Sequence, residues 1–96
     1  GAAVGPAPAV GNRAPAYPAE ALRRGVEGVV VVRVEVDALG SVSGARVVES
    51  AGDGSLDASA LEAVRSWRFE PGRDGSGRLA ASRADVPVVF RIRRER

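Results

Sequence analysis

The sequence has no cysteine and no histidine, the two side chains used most often for nucleophilic and metal chemistry. Disulfides, zinc sites and haem ligation by these residues are therefore excluded. A serine nucleophile would also lack a base, because lysine is absent as well. From these absences we expect no cofactor, no metal and no enzymatic activity.

The charges are balanced, which argues against a nucleic-acid-binding surface. The 14 basic residues are all arginines, and 12 acidic residues reduce the net charge to +2. Nucleic-acid-binding proteins cluster basic residues on one face, and single-strand binders expose stacking aromatic rings. Because aromatic residues make up only 4% of this chain, we expect no nucleic-acid partner.

Long hydrophobic runs are missing too. No stretch approaches the roughly 18 apolar residues that a membrane-spanning helix needs, and no signal peptide is visible. We therefore expect any membrane anchor to lie outside this sequence.

The chain divides into two parts by composition. Residues 1–16 are rich in Ala, Pro and Gly and have no periodicity that could bury one face, so they predict a disordered, semi-stiff linker. Residues 17–94 carry all the periodic patterns and predict one small domain.

The first half of this domain predicts a short helix followed by a β-hairpin. The helix starts at Tyr17-Pro18 and closes at Gly25, which can adopt the left-handed conformation. From Gly28 the period changes to two and places four valines on one face: Val30, Val32, Val34 and Val36. A turn over 37–41 then leads into a second strand over 41–50, whose broken alternation predicts a bulge near Gly44.

The second half predicts a longer helix, a loop and a last strand. Ser55 can cap the helix, and Pro71 forbids its continuation. A Gly- and Ser-rich loop over 70–83 precedes a strand over 84–93. The order helix, strand, strand, helix, strand predicts an α+β fold in which two helices cover one face of a three-stranded antiparallel sheet. We interpret six apolar residues as its structural core: Val32, Val34, Leu61, Val64, Trp67 and Phe69.

The last strand contains Pro87, which predicts that it lies at an edge of the sheet. Proline cannot donate to a hydrogen-bonded ladder, so its nitrogen should point away from the neighbouring strand. The main-chain groups of Val89, Arg91 and Arg93 would then point outward as well. Such an edge is either protected by proline and arginine or used to bind an extended peptide, and the residues alone leave both interpretations open.

Several segments resemble the C-terminal domain of the TonB family, the energy transducers of Gram-negative envelopes. The matching segments occur in the family's order: "YP" at 17–18, "GVEGVVVVRVEVDALGSV" at 25–42, "VVES" at 47–50, "LDASALEAVRSWRFEPG" at 56–72 and "VPVVFRI" at 86–92. The resemblance implies a periplasmic domain anchored to the inner membrane through a segment outside this sequence. It also implies that inner-membrane proton-channel proteins are partners of the missing N-terminal part.

The resemblance further implies that the last strand pairs with the TonB box, a short segment of outer-membrane receptors, and pulls on the receptor during active transport such as siderophore and iron uptake. On this chain the partner-binding residues would be Val88, Val89, Phe90, Arg91, Ile92 and Arg93, with Arg13, Ala14 and Tyr17 from the region around the Tyr-Pro pair.

The resemblance leaves two alternatives open. The first is that the chain serves another envelope machine, such as a gliding-motility complex, in which TonB-like domains grip a different outer-membrane protein. It stays open because the family often has a glutamine just before the Tyr-Pro pair, whereas residues 12–16 here contain none. The second is a homodimer formed by strand pairing through Val29, Val31 and the open edge.

Overall fold

The computed structural model describes residues 7–93. Within this range the chain forms, in order, β1 (Ala7–Pro8), α1 (Ala19–Arg23), β2 (Gly28–Val36), β3 (Val42–Glu49), α2 (Gly54–Arg65), β4 (Phe69–Glu70), β5 (Gly72–Arg73), β6 (Leu79–Ala80) and β7 (Ser82–Phe90). Residues 1–6 of the predicted linker, and Arg94 at the end of the predicted domain, lie outside the described residues.

The main sheet has three antiparallel strands in the order β3-β2-β7. Strand β2 lies in the centre and pairs with β7, which is equally long, without interruption from Gly28↔Phe90 to Val36↔Ser82. Helix α2 contacts both β2 and β3, and α1 adds Ala21 to the same core. The predicted α+β architecture, with a three-stranded sheet and two helices, is confirmed.

The core lies between the valine face of the sheet and the helices. The four alternating valines of β2 are fully buried, as are Leu56, Ala60 and Val64 of α2. They are buried because a period of two places every second side chain of a strand on one face. Burying each such valine or leucine contributes about 1.5–3 kcal/mol. Of the predicted core residues, Val32, Val34, Val64 and Phe69 are buried, whereas Leu61 and Trp67 are half-buried and pack against the cluster.

Helix α2 begins at a different cap from the one predicted. Asp53, and not Ser55, is the N-cap, and its carboxylate accepts hydrogen bonds from the main-chain amides of Ser55 and Leu56. The hydrogen bond from the Ser55 hydroxyl, with that from the Leu56 amide, lowers the pKa of Asp53. An ionised acceptor two positions earlier is the better cap because it also complements the helix dipole.

Strand β3 contains two irregularities. The register shifts between Glu35 and Val36, which leaves Ser43 unpaired beside Gly44 and confirms the predicted bulge. A second shift between Val31 and Val32, opposite Val48, has no signal in the sequence. Val42, Ala45 and Val47 of this strand all pack against the core.

The predicted loop over 70–83 and the last strand both differ from prediction in their bounds. Part of the predicted loop over 70–83 is a short hairpin, in which β5 pairs with β6. Its turn is held by the carboxylate of Asp74, which accepts from the main-chain amides of Ser76 and Arg78. The last strand runs from Ser82 to Phe90, where 84–93 was predicted.

Residues 7–16 are packed against the domain, where the sequence predicts a linker. Strand β1 pairs with β4, and the side-chain amide of Asn12 exchanges two hydrogen bonds of 2.8 Å with the main chain of Arg68. The indole of Trp67 donates to the carbonyl of Arg13 at 2.7 Å. Main-chain groups make most of these contacts, so no periodicity of side chains reports them.

Replacing Asn12 with alanine should loosen this N-terminal segment. Each lost hydrogen bond contributes about 1 kcal/mol, so we expect a loss of about 1–2 kcal/mol in the free energy of unfolding. The fluorescence emission of Trp67, the only tryptophan, should shift to longer wavelength as its indole becomes more exposed to water. The matched control is Val10→Ala at an exposed position of the same segment. Equal melting curves and spectra for both variants would contradict the expected role of Asn12.

Candidate functional site

Strand β7 is an edge of the main sheet. Its only strand neighbour among residues 7–93 is β2, so the opposite side of β7 carries no paired strand in the described part of the chain. Pro87 lies within β7, is exposed and is paired across the sheet with Val31. This placement agrees with the rule that proline within a sheet occupies an edge.

The direction of the main-chain groups along β7 follows from contacts on β2. The hydroxyl of Ser43 on β3 donates to the carbonyl of Glu35 at 3.2 Å, so odd-numbered residues of β2 point toward β3. Because directions alternate along a strand, even-numbered residues of β2 point toward β7. Their partners Val86, Val88 and Phe90 therefore pair inward.

The odd-numbered residues of β7 consequently direct their main-chain groups away from the sheet. Asp85 and Val89 each present an N–H and a C=O on this side, and Pro87 presents a C=O alone. Unpaired groups of this kind form a template for an additional strand. The ring of Pro87 interrupts the row of donors, so an added strand would find no N–H to accept at that position.

The predicted partner-binding residues of β7 differ in what they expose. Val88 and Phe90 have buried side chains and belong to the core, whereas Val89 is 55% exposed. Val89 lies opposite Val29, which is 42% exposed on the same open face of the sheet. An open groove of about 540 Å³ lies at this end of the sheet, lined by Glu27, Gly28, Val29, Val89, Phe90, Arg91 and Ile92.

The three predicted residues after Phe90 lie beyond the strand. Arg91 and Arg93 are exposed and Ile92 is half-buried. The main-chain amide of Ile92 donates to Oε2 of Glu27 at 2.6 Å. Glu27 carries no signal in the sequence, because a glutamate before a strand has no pattern that distinguishes it from any surface acid.

The other three predicted residues fall into two places. The ring of Tyr17 packs edge-on against Phe90, with centroids 5.5 Å apart, and its hydroxyl donates to the carbonyl of Val26. Arg13 and Ala14 instead line a second groove, of about 360 Å³, against α2. Tyr17 thus supports the end of β7, while Arg13 and Ala14 lie beside the helix.

Two cross-strand ion pairs occupy the open face near the other end of β7. Arg33 donates to both carboxylate oxygens of Asp85, at 2.7 and 3.0 Å, and Arg83 donates to Glu35 at 3.0 Å. The hydrogen bond from Arg33 lowers the pKa of Asp85, and the same contact raises the pKa of Arg33. Arg91 and Arg93, just after β7, have no ion-pair partner within residues 7–93, so their guanidinium groups are not neutralised by a neighbouring carboxylate there.

Residues 7–93 show neither a metal site nor a membrane helix. No group of three or more Asp or Glu side chains in this range could hold a metal ion. No helix in the same range has the length and apolar character to cross a bilayer. The described surface offers main-chain groups, valines and arginines, which are suited to binding a peptide.

The family model of the Gram-negative bacterial TonB protein C-terminal domain matches residues 13–92. The chain belongs to this family. The match includes residues 13–16, which lie in the predicted linker and which pack against α2 and Trp67 in the structure.

Individual relatives agree with this assignment. The chain is 43% identical over 81 residues to Protein tonB2 of Pseudomonas aeruginosa, covering 84% of this chain and 30% of that protein. It is 41% identical over 78 residues to Protein TonB of Xanthomonas campestris, covering 81% and 34% of the two chains. It is 35% identical over 84 residues to Protein TonB of Escherichia coli, covering 88% and 33%. The chain thus spans about a third of the length of these relatives.

A solved structure supports the same conclusion. The solution NMR structure of the P. aeruginosa TonB CTD superimposes with a TM-score of 0.73 at 32% identity, covering 95% of this chain and 90% of that chain. The predicted family and fold are therefore confirmed. Membership of this family also identifies the chain as non-catalytic.

Proposed function

We propose that this TonB-type domain binds an extended segment of an outer-membrane receptor, the TonB box, by strand addition to the outer edge of β7. The observation that supports the proposal is the outward row of main-chain groups at Asp85, Pro87 and Val89. A peptide placed there becomes a fourth strand and satisfies groups that otherwise face water. Family membership supports a receptor as the source of the peptide.

We expect a modest affinity for the peptide, but a high resistance to force applied along the strands. Between Asp85 and Val89 the outward row offers two groups at Asp85, one at Pro87 and two at Val89, five in all. At about 1 kcal/mol net per hydrogen bond, five bonds correspond to a dissociation constant of about 10⁻⁴–10⁻³ M. Tension along parallel or antiparallel strands loads these bonds together, so a modest affinity can still transmit a pull.

The wider machine follows from the same proposal. The domain would work in the periplasm, tied to the inner membrane through a segment outside this sequence. Proton-channel proteins acting on that segment would supply the pulling force, and the receptor would use it for active transport, with siderophore-bound iron as one class of cargo.

A second candidate is a different envelope machine that uses the same edge, such as a gliding-motility complex. The observation that favours it is that the side chain of Asn12 is already hydrogen-bonded within the domain. The region before the Tyr-Pro pair contains no glutamine, and the side-chain amide of Asn12 is engaged by the main chain of Arg68. Side-chain recognition of a TonB box by this region would therefore be reduced, and the partner would be selected by the β7 edge alone.

Titration of the isotope-labelled chain with N-terminal peptides of outer-membrane receptors tests the first proposal. We expect amide shifts concentrated on residues 82–93, with weaker binding at high salt because Arg91 and Arg93 lie at the end of the edge. A folded domain that responds to no receptor peptide would transfer the proposal to the second candidate. Shifts that depend on protein concentration without peptide, with a doubled mass by light scattering, would identify a homodimer through this edge.

A further inference from the structure

The main-chain ladder between β2 and β7 ends at the pair Gly28↔Phe90. Had the pairing continued, the next inward partner of Ile92 would have been Val26. The main chain of Val26 is already occupied, since its amide donates to the carbonyl of Ala21 at 2.9 Å and its carbonyl accepts the hydroxyl of Tyr17. The main chain before Gly28 is therefore engaged with Ala21 and Tyr17 and does not continue the ladder with β7.

Glu27 supplies the acceptor that β2 lacks. Its Oε2 receives the main-chain amide of Ile92 at 2.6 Å, across a separation of 65 residues. Ile92 has the same parity as Val88 and Phe90, so this amide points toward β2 as theirs do. A side-chain carboxylate here replaces the carbonyl of a strand residue.

Because the amide of Ile92 is held toward β2, the direction of the main-chain groups on either side of it is determined. If residues 91–93 keep the alternation of β7, the main-chain groups of Arg91 and Arg93 point outward, in line with those of Val89. The groove beside Val29, Val89 and Arg91 then continues past the last strand residue.

We infer that Glu27 is a positioning residue that extends the peptide-binding edge from Phe90 to about Arg93. The inference rests on the proposed peptide binding at β7, and adds that Glu27 sets the length of peptide that the edge can pair. Glu27 also lines the groove, but setting the length of the edge does not require it to touch the peptide. It would act through the amide of Ile92.

The test uses Glu27→Ala, which removes the acceptor, and Glu27→Gln, which keeps an oxygen at the same place. Glu49→Ala, at an exposed acid on the opposite edge strand, controls for the change in net charge. First, hydrogen exchange of the Ile92 amide is measured without peptide. We expect about tenfold faster exchange in Glu27→Ala than in the wild type, and near wild-type exchange in Glu27→Gln and Glu49→Ala.

The second measurement is affinity as a function of peptide length. The probes are a five-residue receptor box peptide and two eight-residue versions, each extended at one end. In the wild type, Glu27→Gln and Glu49→Ala, one of the two extensions should tighten binding about fivefold or more. In Glu27→Ala the same extension should bring no gain, while the five-residue peptide binds as it does to the wild type.

The outcomes separate this inference from the function on which it rests. If the five-residue peptide binds at β7 and Glu27→Ala gains from extension as the wild type does, Glu27 does not set the edge length and peptide binding still stands. Unchanged exchange of Ile92 in Glu27→Ala would overturn the inference as well. If no peptide binds the wild type, both the binding proposal and the role of Glu27 in it are wrong.

Discussion

Replacing Val89 with proline is expected to weaken receptor-peptide binding by at least about tenfold while the domain stays folded. The substitution removes the outward N–H at the middle of the proposed edge and places a ring where the peptide strand would approach. Because this N–H does not pair with β2, its loss leaves the ladder intact. Peptide titration followed by NMR measures the affinity, and thermal melting measures the fold.

Two controls separate the amide from the side chain and from the ladder. Val89→Ala keeps the amide and should retain most of the binding. Val88→Pro removes an inward amide from the ladder with β2 and buries a strained ring, so it should destabilise the domain by about 3 kcal/mol or more. Normal peptide binding by Val89→Pro would show that the peptide does not pair with the outer edge of β7.

Replacing Gly40 with alanine is expected to lower the free energy of unfolding by about 3 kcal/mol or more. Gly40 has φ +89, a left-handed conformation that costs an ordinary residue about 1–2 kcal/mol. A Cβ at this position would lie 2.2 Å from the carbonyl oxygen of Phe69, so the main chain must move. The same contact is held by a hydrogen bond of 2.9 Å from the Phe69 amide to the Gly40 carbonyl.

Gly52 provides a matched control for Gly40. It has φ +86, and a Cβ there would meet nothing within 4 Å. Gly52→Ala should therefore cost only the left-handed conformation, about 1–2 kcal/mol. Chemical denaturation of both variants gives the difference, and equal losses would show that the approach of the hairpin turn to Phe69 is less close than the structure has it.

The Gly40–Phe69 contact shows why some of this fold could be predicted and some could not. The sequence predicts a turn glycine at position 40, because an Asp-Ala-Leu-Gly-Ser segment between two strands needs a positive φ. It does not reveal that the main chain leaving α2 packs against that turn. The two segments are almost 30 residues apart, and their contact involves main-chain atoms that every residue has.

The candidate site divides in the same way. Pro87 by itself indicates an edge strand and the parity of its outward groups, because proline cannot pair inward. The end of that edge could not be predicted. It depends on the main chain of Val26 being occupied by Ala21 and Tyr17 and on Glu27 reaching Ile92.

The amino-acid sequence by itself determined the three main strands and two helices of the domain, its valine core and its family. These features depend on residues that are close in the sequence, since hydrophobic periods of two or 3.6 residues and turn glycines act locally. The tertiary structure alone decided that residues 7–16 pack on Arg68 and Trp67, and that Glu27 continues the edge where β2 stops. Those contacts join single polar groups to the main chain across long separations, and such pairs form only where the fold has already brought the two segments together.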